Sequence, residues 1–483
     1  MSMNKSVGIN AALNAFRILL SVVFPLITYP YAARILGVEN LGLVNFTSSI
    51  VSYYVLLAGL GISTYAIREG SMIRDKKSAF CNFANQMFSI NFWSSLFSLV
   101  LVILTIFLIP RFFSLRILML VQSIVVVGNL LSVDWIYSIE EDYLFITIRS
   151  IVVHVIALVL LFVFVRNEND YIWYAATTVV SNAGVSVFNF IHASKYVNLR
   201  LVKRIDWLKH CKPILVIFAS NVTATIYVNS DKTLLGFLTD TYNVGLYSVS
   251  VNVYTVLKAV FSAIMLAILP RLSNYIATNK TQDYHLLANK LAKCLLVLVI
   301  PCVLGVILTS KSIVLIVGDV EFIDAYISLS ILVVALFFSV LAIFLTTVVL
   351  LPHKLESINL KASIISALIN LVLNILILKY LKENGAALTT LVAELFMFVF
   401  EYVYARRYLK LSFSIKFFVS IIIGCIGIVI SVLAIEQIVN IFWVSITLKI
   451  LVSLIMYCFI LLLFKNEMIL ELLNIVKQKI LRK

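Results

Sequence analysis

Ala11-Ala-Leu-Asn-Ala-Phe-Arg-Ile-Leu-Leu-Ser-Val-Val-Phe-Pro-Leu-Ile-Thr-Tyr-Pro-Tyr31 contains a single charge, Arg17. A helix rising 1.5 Å per residue needs about twenty residues to cross a hydrocarbon layer about 30 Å thick. The stretch reads as a membrane span. It is too long for the core of a signal peptide and lacks a clean cleavage site, so it is expected to be retained. Comparable runs recur along the chain. They predict fourteen spans, at 11–31, 43–66, 84–109, 113–133, 146–165, 171–194, 213–236, 245–269, 291–309, 326–351, 361–380, 386–405, 414–435 and 443–464. The runs are too long for barrel strands, which alternate over about ten residues.

Composition agrees. Hydrophobic residues are 62% of the chain and charged residues 13%, against about 45–50% and 25% in soluble domains. The net charge of +15 raises the question of nucleic acid, and its distribution answers it. Residues near span ends are counted with the adjoining loop. The N-terminus, the even-numbered loops and the C-terminus then hold 27 Lys and Arg, and the odd loops hold 7. That asymmetry puts both termini in the cytoplasm and argues against nucleic-acid binding. The basic segment 195–212 and the tail 465–483 read as interfacial, facing anionic lipid.

Several chemistries lack their residues. No G-x-x-x-x-G-K-[ST] phosphate loop or HExxH pattern occurs. The six cysteines are scattered without a CxxC pair, so neither a metal nor a disulfide framework is expected. No loop exceeds about twenty residues, which leaves no room for an extramembrane catalytic domain. A transporter without a cofactor, rather than an enzyme, is the expectation.

The chain also carries a repeat. Arg34-Ile-Leu-Gly37, Leu41-Gly42-Leu43 and Arg68 parallel Thr233-Leu-Leu-Gly236, Val244-Gly245-Leu246 and Arg271. Gly42 and Gly245 each lie 26 residues before the paired arginine, at an offset of 203. With six spans per copy the two run in the same direction, as in a parallel repeat about an axis along the membrane normal. The expected fold is all-α and polytopic. It has two six-helix lobes related by a pseudo-two-fold axis, 1–205 and 206–410, with an extra helix pair at 411–464 and an amphipathic tail from 465 to 483.

Charged and polar groups inside spans are costly and therefore informative. Asn10, Asn14, Arg17, Ser21, Pro25 and Thr28 are spaced 4, 3, 4, 4 and 3, which places them on one helix face. Arg17 either lines a hydrated cavity or snorkels. Ser250, Tyr254, Lys258 and Ser262 form a second stripe, with Lys258 near mid-span. Ser220, Tyr227 and Asp231 approximate a third, followed by Lys232. Asp231 has two readings, a coupling site or an ion-pair partner of Lys258 or Lys232. Glu394 lies deep in the twelfth span, with Glu401 on the same face. Asp134-Trp135 reads as an interfacial anchor. The candidate substrate-lining set is Asn14, Arg17, Ser21, Tyr227, Tyr254 and Lys258. Asp231, Lys232 and Glu394 are candidates for coupling or an ion pair. Inward-facing cations suit an anionic substrate, and Arg suits phosphate.

Phe24-Pro-Leu-Ile-Thr-Tyr-Pro-Tyr-Ala-Ala-Arg-Ile-Leu-Gly-Val-Glu-Asn-Leu-Gly-Leu43 resembles the opening of bacterial Wzx-type oligosaccharide flippases. These form the polysaccharide-transporter branch of the multidrug/oligosaccharidyl-lipid/polysaccharide exporter superfamily. Asp134-Trp135-Ile-Tyr137, Asp231-Lys232, Leu235-Gly236 and Leu269-Pro270-Arg271 are similar to its later landmarks. The resemblance runs to about Arg407. It implies alternating access through a cationic lumen, with undecaprenyl-pyrophosphate-linked oligosaccharide as cargo in a bacterial inner membrane. It also implies a lipid-tail groove at spans thirteen and fourteen, and a polysaccharide polymerase and chain-length regulator as partners. A drug or metabolite exporter of the same superfamily, or a membrane-embedded polymerase or ligase, are the alternatives.

Overall fold

The computed structural model describes the backbone of residues 7–470 and the side chains of residues 23–470. Among these residues every regular element is helical. The first unit comprises α1 (Val7–Gly59), α2 (Ile62–Ile73), α3 (Lys77–Leu108), α4 (Arg116–Leu131), α5 (Asp134–Ile139), α6 (Tyr143–Phe164) and α7 (Tyr171–Ala193). α8 (Trp207–Leu238) and the start of α9 (Thr241–Ala277) follow. The second unit continues with α10 (Thr281–Leu308), α11 (Ser310–Gly318), α12 (Ala325–Leu345), α13 (Glu356–Ala405), α14 (Ile415–Ile438) and α15 (Phe442–Leu463).

Eleven described helical stretches are long and apolar enough to cross a membrane. Two of them, Val23–Ile73 and Glu356–Ala405, hold 51 and 50 residues, about 75 Å of helix and enough for two crossings each. α1 breaks at Gly37, where φ is 70°, a backbone state open to glycine at little cost. α13 breaks at Lys382, where φ is 47°. The 23-residue α7 completes fourteen membrane-length helices, the number the apolar runs predict. Short loops let the helices run past the hydrocarbon. The 32 residues of α8 and the 37 of α9 exceed the 24 and 25 of the expected spans.

The chain divides into two compact units, Met1–Ser248 and Val249–Lys483. The division falls inside α9, not in the loop before α8. α8 and the first turns of α9 belong with α1 because small residues bring the backbones together. A methyl group on Gly42 would overlap the Thr241 carbonyl oxygen, and one on Gly245 would overlap that of Val38. Gly236 lies flat against the Phe46 ring. Arg111 closes the end of α8 by donating to the Gly236 and Phe237 carbonyls, the favourable place for a cation.

Within the first unit, α3 is stitched to α1 by hydroxyls. Ser94 Oγ donates to the Ala58 carbonyl at 2.6 Å and Ser98 Oγ to Tyr54 at 2.5 Å. Gly128 of α4 opposes Ala183 of α7, where an added methyl would sit 2.5 Å from the alanine Cβ. Such small-residue crossings substitute for a hydrophobic driving force in lipid. At the start of α7 the Asp170 carboxylate accepts the main-chain N–H groups of Arg166 and Asn167 at 3.0 and 2.8 Å, which hold its pKa below the usual carboxylate value. The basic segment before α8 lies along α3, where Asn85, Ser89 and Gln86 accept from the N–H groups of Arg200, Val202 and Asp206.

In the second unit, α14 and α15 pair through Gly424, which rests on the Tyr457 ring. The Tyr457 hydroxyl donates to the Val297 carbonyl of α10 at 2.8 Å. The segment after α15 is tied back by Asn466 to Ser420 and by Glu467 to Lys293.

Candidate functional site

In the first unit α1, α4, α7 and α8 line an open cavity of about 460 Å³. Its α8 wall is a stripe spaced by one helical turn, Asn221, Thr225 and Asn229, faced by Thr178 and Asn182 of α7. Gln122 of α4 and Ser48 and Ser52 of α1 complete the polar lining, Val51, Val55, Leu56, Val125, Val179 and Ala224 make up the rest, and none of the described lining residues is charged. Gln122 Nε2 donates to the Val44 carbonyl at 3.0 Å. Asn182 Nδ2 donates to Thr178 at 2.9 Å and Asn229 Nδ2 to Thr225 at 3.1 Å. An uncharged polar recess among helices of this hydropathy needs water or a hydroxylated ligand to satisfy it.

Near this recess, Asp231 is buried and accepts the Tyr247 hydroxyl at 2.6 Å. Thr233 meets Ser49 at 2.8 Å and Tyr53 at 3.2 Å. Lys232 is half-buried beside Asp231. Tyr227 is half-buried on α8, off the stripe that lines the cavity.

The second unit holds the charged cluster. Lys258 Nζ donates to Glu394 Oε1 at 2.8 Å, and the Tyr254 hydroxyl donates to the same oxygen at 2.8 Å. The Glu394 side chain is 2% exposed and that of Lys258 29%. Their pair opens on a small cavity of about 140 Å³ that reaches Ser339, Thr346 and Asn359. Beyond it the Thr346 hydroxyl donates to the fully buried Glu401 carboxylate at 2.9 Å, and Asn359 Nδ2 donates to Thr346 at 2.9 Å. Thr346 opens a single π-helical turn, Thr346–Leu350, that ends α12. Such turns cluster at functional places.

These positions sort the sequence expectations. Asn14, Arg17 and Ser21 lie outside the described side chains. Tyr254, Lys258 and Glu394 come together, and the positive charge of Lys258 is balanced by Glu394 rather than standing alone for a substrate anion. Asp134-Trp135 is not a lipid-facing anchor. Trp135 is buried in the core of the first unit. Asp134 accepts Arg149 Nη2 at 2.7 Å and also the Asn189 amide. Gln122, Asn182, Asn221 and Asn229 carry no charge, so the cost of burying charge does not single them out in the sequence.

The model of a family described as "Polysaccharide biosynthesis protein" matches residues 7–276, more than half of the chain. A curated protein of Escherichia coli (strain K12), named "Putative O-antigen transporter", is 24% identical over 385 residues, covering 77% of this chain and 90% of that protein. The fold is similar to that of the lipid II flippase MurJ in an inward closed conformation, with a TM-score of 0.73 at 15% identity, over 94% of this chain and 98% of that one. It is also similar to an inward-facing multidrug-resistance MATE transporter of the MOP superfamily, with a TM-score of 0.60 at 13% identity, over 80% and 94%. The family match runs through Phe24–Leu43, and it bears out the resemblance drawn from that motif to Wzx-type members of this exporter superfamily.

Proposed function

Since the chain belongs to the polysaccharide biosynthesis protein family, which its residues 7–276 match, we propose that it flips lipid-linked oligosaccharide. The cargo would be an undecaprenyl-pyrophosphate-linked repeat unit, carried from the cytoplasmic to the outer leaflet of a bacterial inner membrane for surface polysaccharide assembly. The movement would be alternating access, with both termini cytoplasmic, and a polymerase and chain-length regulator would receive the product.

The observation that carries this reading is the uncharged, hydrogen-bonding cavity of about 460 Å³ held inside membrane-length helices. The lining mixes amides and hydroxyls with Val51, Val55, Leu56, Val125 and Val179, which suits the hydroxyls and the apolar ring faces of a glycan. A second feature supports a lipid carrier. α10, α12 and α14 form an almost wholly apolar groove of about 520 Å³, lined by Ile300, Leu304, Phe337, Phe418 and Ile422 among others. A polyprenyl chain fits that chemistry. Arg17 and Lys258 are the proposed contacts of the diphosphate, with Lys258 exchanging Glu394 for phosphate oxygens. The helices themselves would supply no covalent chemistry, only a wet path past the lipid.

The test is deletion of the gene. Single lipid-linked units should accumulate with their glycans on the inner leaflet, and surface polysaccharide should disappear until the chain is restored. Arg17→Ala should fail to restore it at normal protein level. Unchanged surface polysaccharide in the deletion strain would refute the reading. A drug-efflux assay in the same strains addresses the rival, an exporter of small molecules on the same fold.

A further inference from the structure

We infer that the cavity of the first unit is a glycan subsite built for uncharged sugars, an inference that rests on the flippase reading above. The argument is a count of hydrogen-bonding capacity. A main-chain carbonyl can only accept, so an amide bonded to one turns its nitrogen to the backbone and its oxygen away. Gln122, Asn182 and Asn229 are each bonded in this way, to Val44, Thr178 and Thr225. Two lining hydroxyls are committed similarly. Ser52 Oγ donates to the Ser49 carbonyl at 2.6 Å and Thr178 Oγ1 to Ala175 at 2.7 Å.

Among the polar groups that the wall offers a ligand, acceptor capacity exceeds donor capacity, and Val51, Val55, Val125 and Val179 lie beside them. Gln122 Oε1 is buried behind the wall and is not offered to a ligand; the accessible oxygens are those of Asn182, Asn221 and Asn229. The second N–H of each amide remains able to receive an oxygen. That combination suits a group that both donates and accepts, which is the chemistry of a sugar hydroxyl. A carboxylate or phosphate is acceptor-only at neutral pH. Here it would face acceptor oxygens, with no Lys or Arg among the described lining residues, and it would leave its charge desolvated. Hexoses and N-acetylhexosamines should thus sit in this cavity, and hexuronates should not.

The test uses the purified full-length chain in liposomes with two polyprenyl-diphosphate glycans of equal length, one neutral and one containing a hexuronate. The neutral glycan should cross faster by about tenfold or more. Asn182→Lys places a donor-only cation on an exposed lining position and should shrink or reverse that ratio. Equal rates for the two glycans in the wild type would overturn the inference and leave the flippase reading standing. Transport of neither would overturn both. An unchanged ratio in Asn182→Lys would overturn the inference alone.

Discussion

Gly42 of α1 and Gly245 of α9 meet backbone to backbone, and they do so reciprocally. A methyl on Gly42 would lie 2.9 Å from Gly245 N and overlap the Thr241 carbonyl oxygen, and a methyl on Gly245 would overlap the Val38 carbonyl oxygen. Thr241 and Val38 are themselves 203 positions apart, the offset of the two glycines. Partner for partner the contact is reciprocal, the pattern a local two-fold relation gives, and it lies wholly within the first unit. The repeat seen in the sequence has a physical reason at these two positions, because only glycine lets the helices approach so closely.

Replacing either glycine therefore forces the helices apart. Gly42→Ala and Gly245→Ala should each destabilise the protein by about 2 kcal/mol or more, the scale of overpacking against a rigid neighbour. Gly305, with nothing within 4 Å of the added methyl, is the control, and its alanine variant should be neutral or slightly stabilising. Thermal aggregation of the three variants in detergent measures the difference. Equal melting of all three would contradict the close crossing.

The pair Lys258–Glu394 should behave as a buried ion pair. Removing one charge strands the other, a loss of about 3–5 kcal/mol, whereas removing both is far milder. Lys258→Met should thus lower the amount of protein in the membrane, and Lys258→Met with Glu394→Met should recover much of it. Quantitative immunoblotting of membranes reads this directly. If the double variant is as depleted as the single one, the pairing is not what stabilises these residues.

Arg149 makes a similar case in the first unit. Its side chain is 5% exposed, its charge is met by Asp134, and it stacks over the Tyr137 and Phe145 rings at 5.5 Å. Asp134→Ala should cost about 3–5 kcal/mol by leaving that charge buried and unpaired. Arg149→Lys should not substitute, because the ammonium lacks the planar face and the fork. Folded yield after mild heating checks both, and full yield of Arg149→Lys would contradict the stacking argument.

Much of this was legible in advance, for unequal reasons. Hydrocarbon thickness dictates helix length, so fourteen runs of about twenty residues could be read directly, and Gly37 marked the first bend. The polar run 379–385 between the apolar runs 361–380 and 386–405 marks the second bend, at Lys382. Tyr254 and Lys258 share a face by spacing alone. Their carboxylate, Glu394, stands 136 positions from Lys258, beyond any local pattern. The cavity of the first unit is lined by amides and hydroxyls, which cost less in a span than a charge and so stand out less in the sequence. Yet Asn221, Thr225 and Asn229 recur every four residues, and that signal was present. Asp134-Trp135 looked like an anchor because its partners, Arg149 and Asn189, arrive from two later helices.

Leaflet sidedness in liposomes holding only this chain and a neutral polyprenyl-diphosphate glycan tests the central claim most directly. An added glycan-cleaving enzyme that cannot enter the vesicles should consume the whole pool when the chain is present. Consumption that stops at the outer leaflet's share, as in protein-free vesicles, would contradict it.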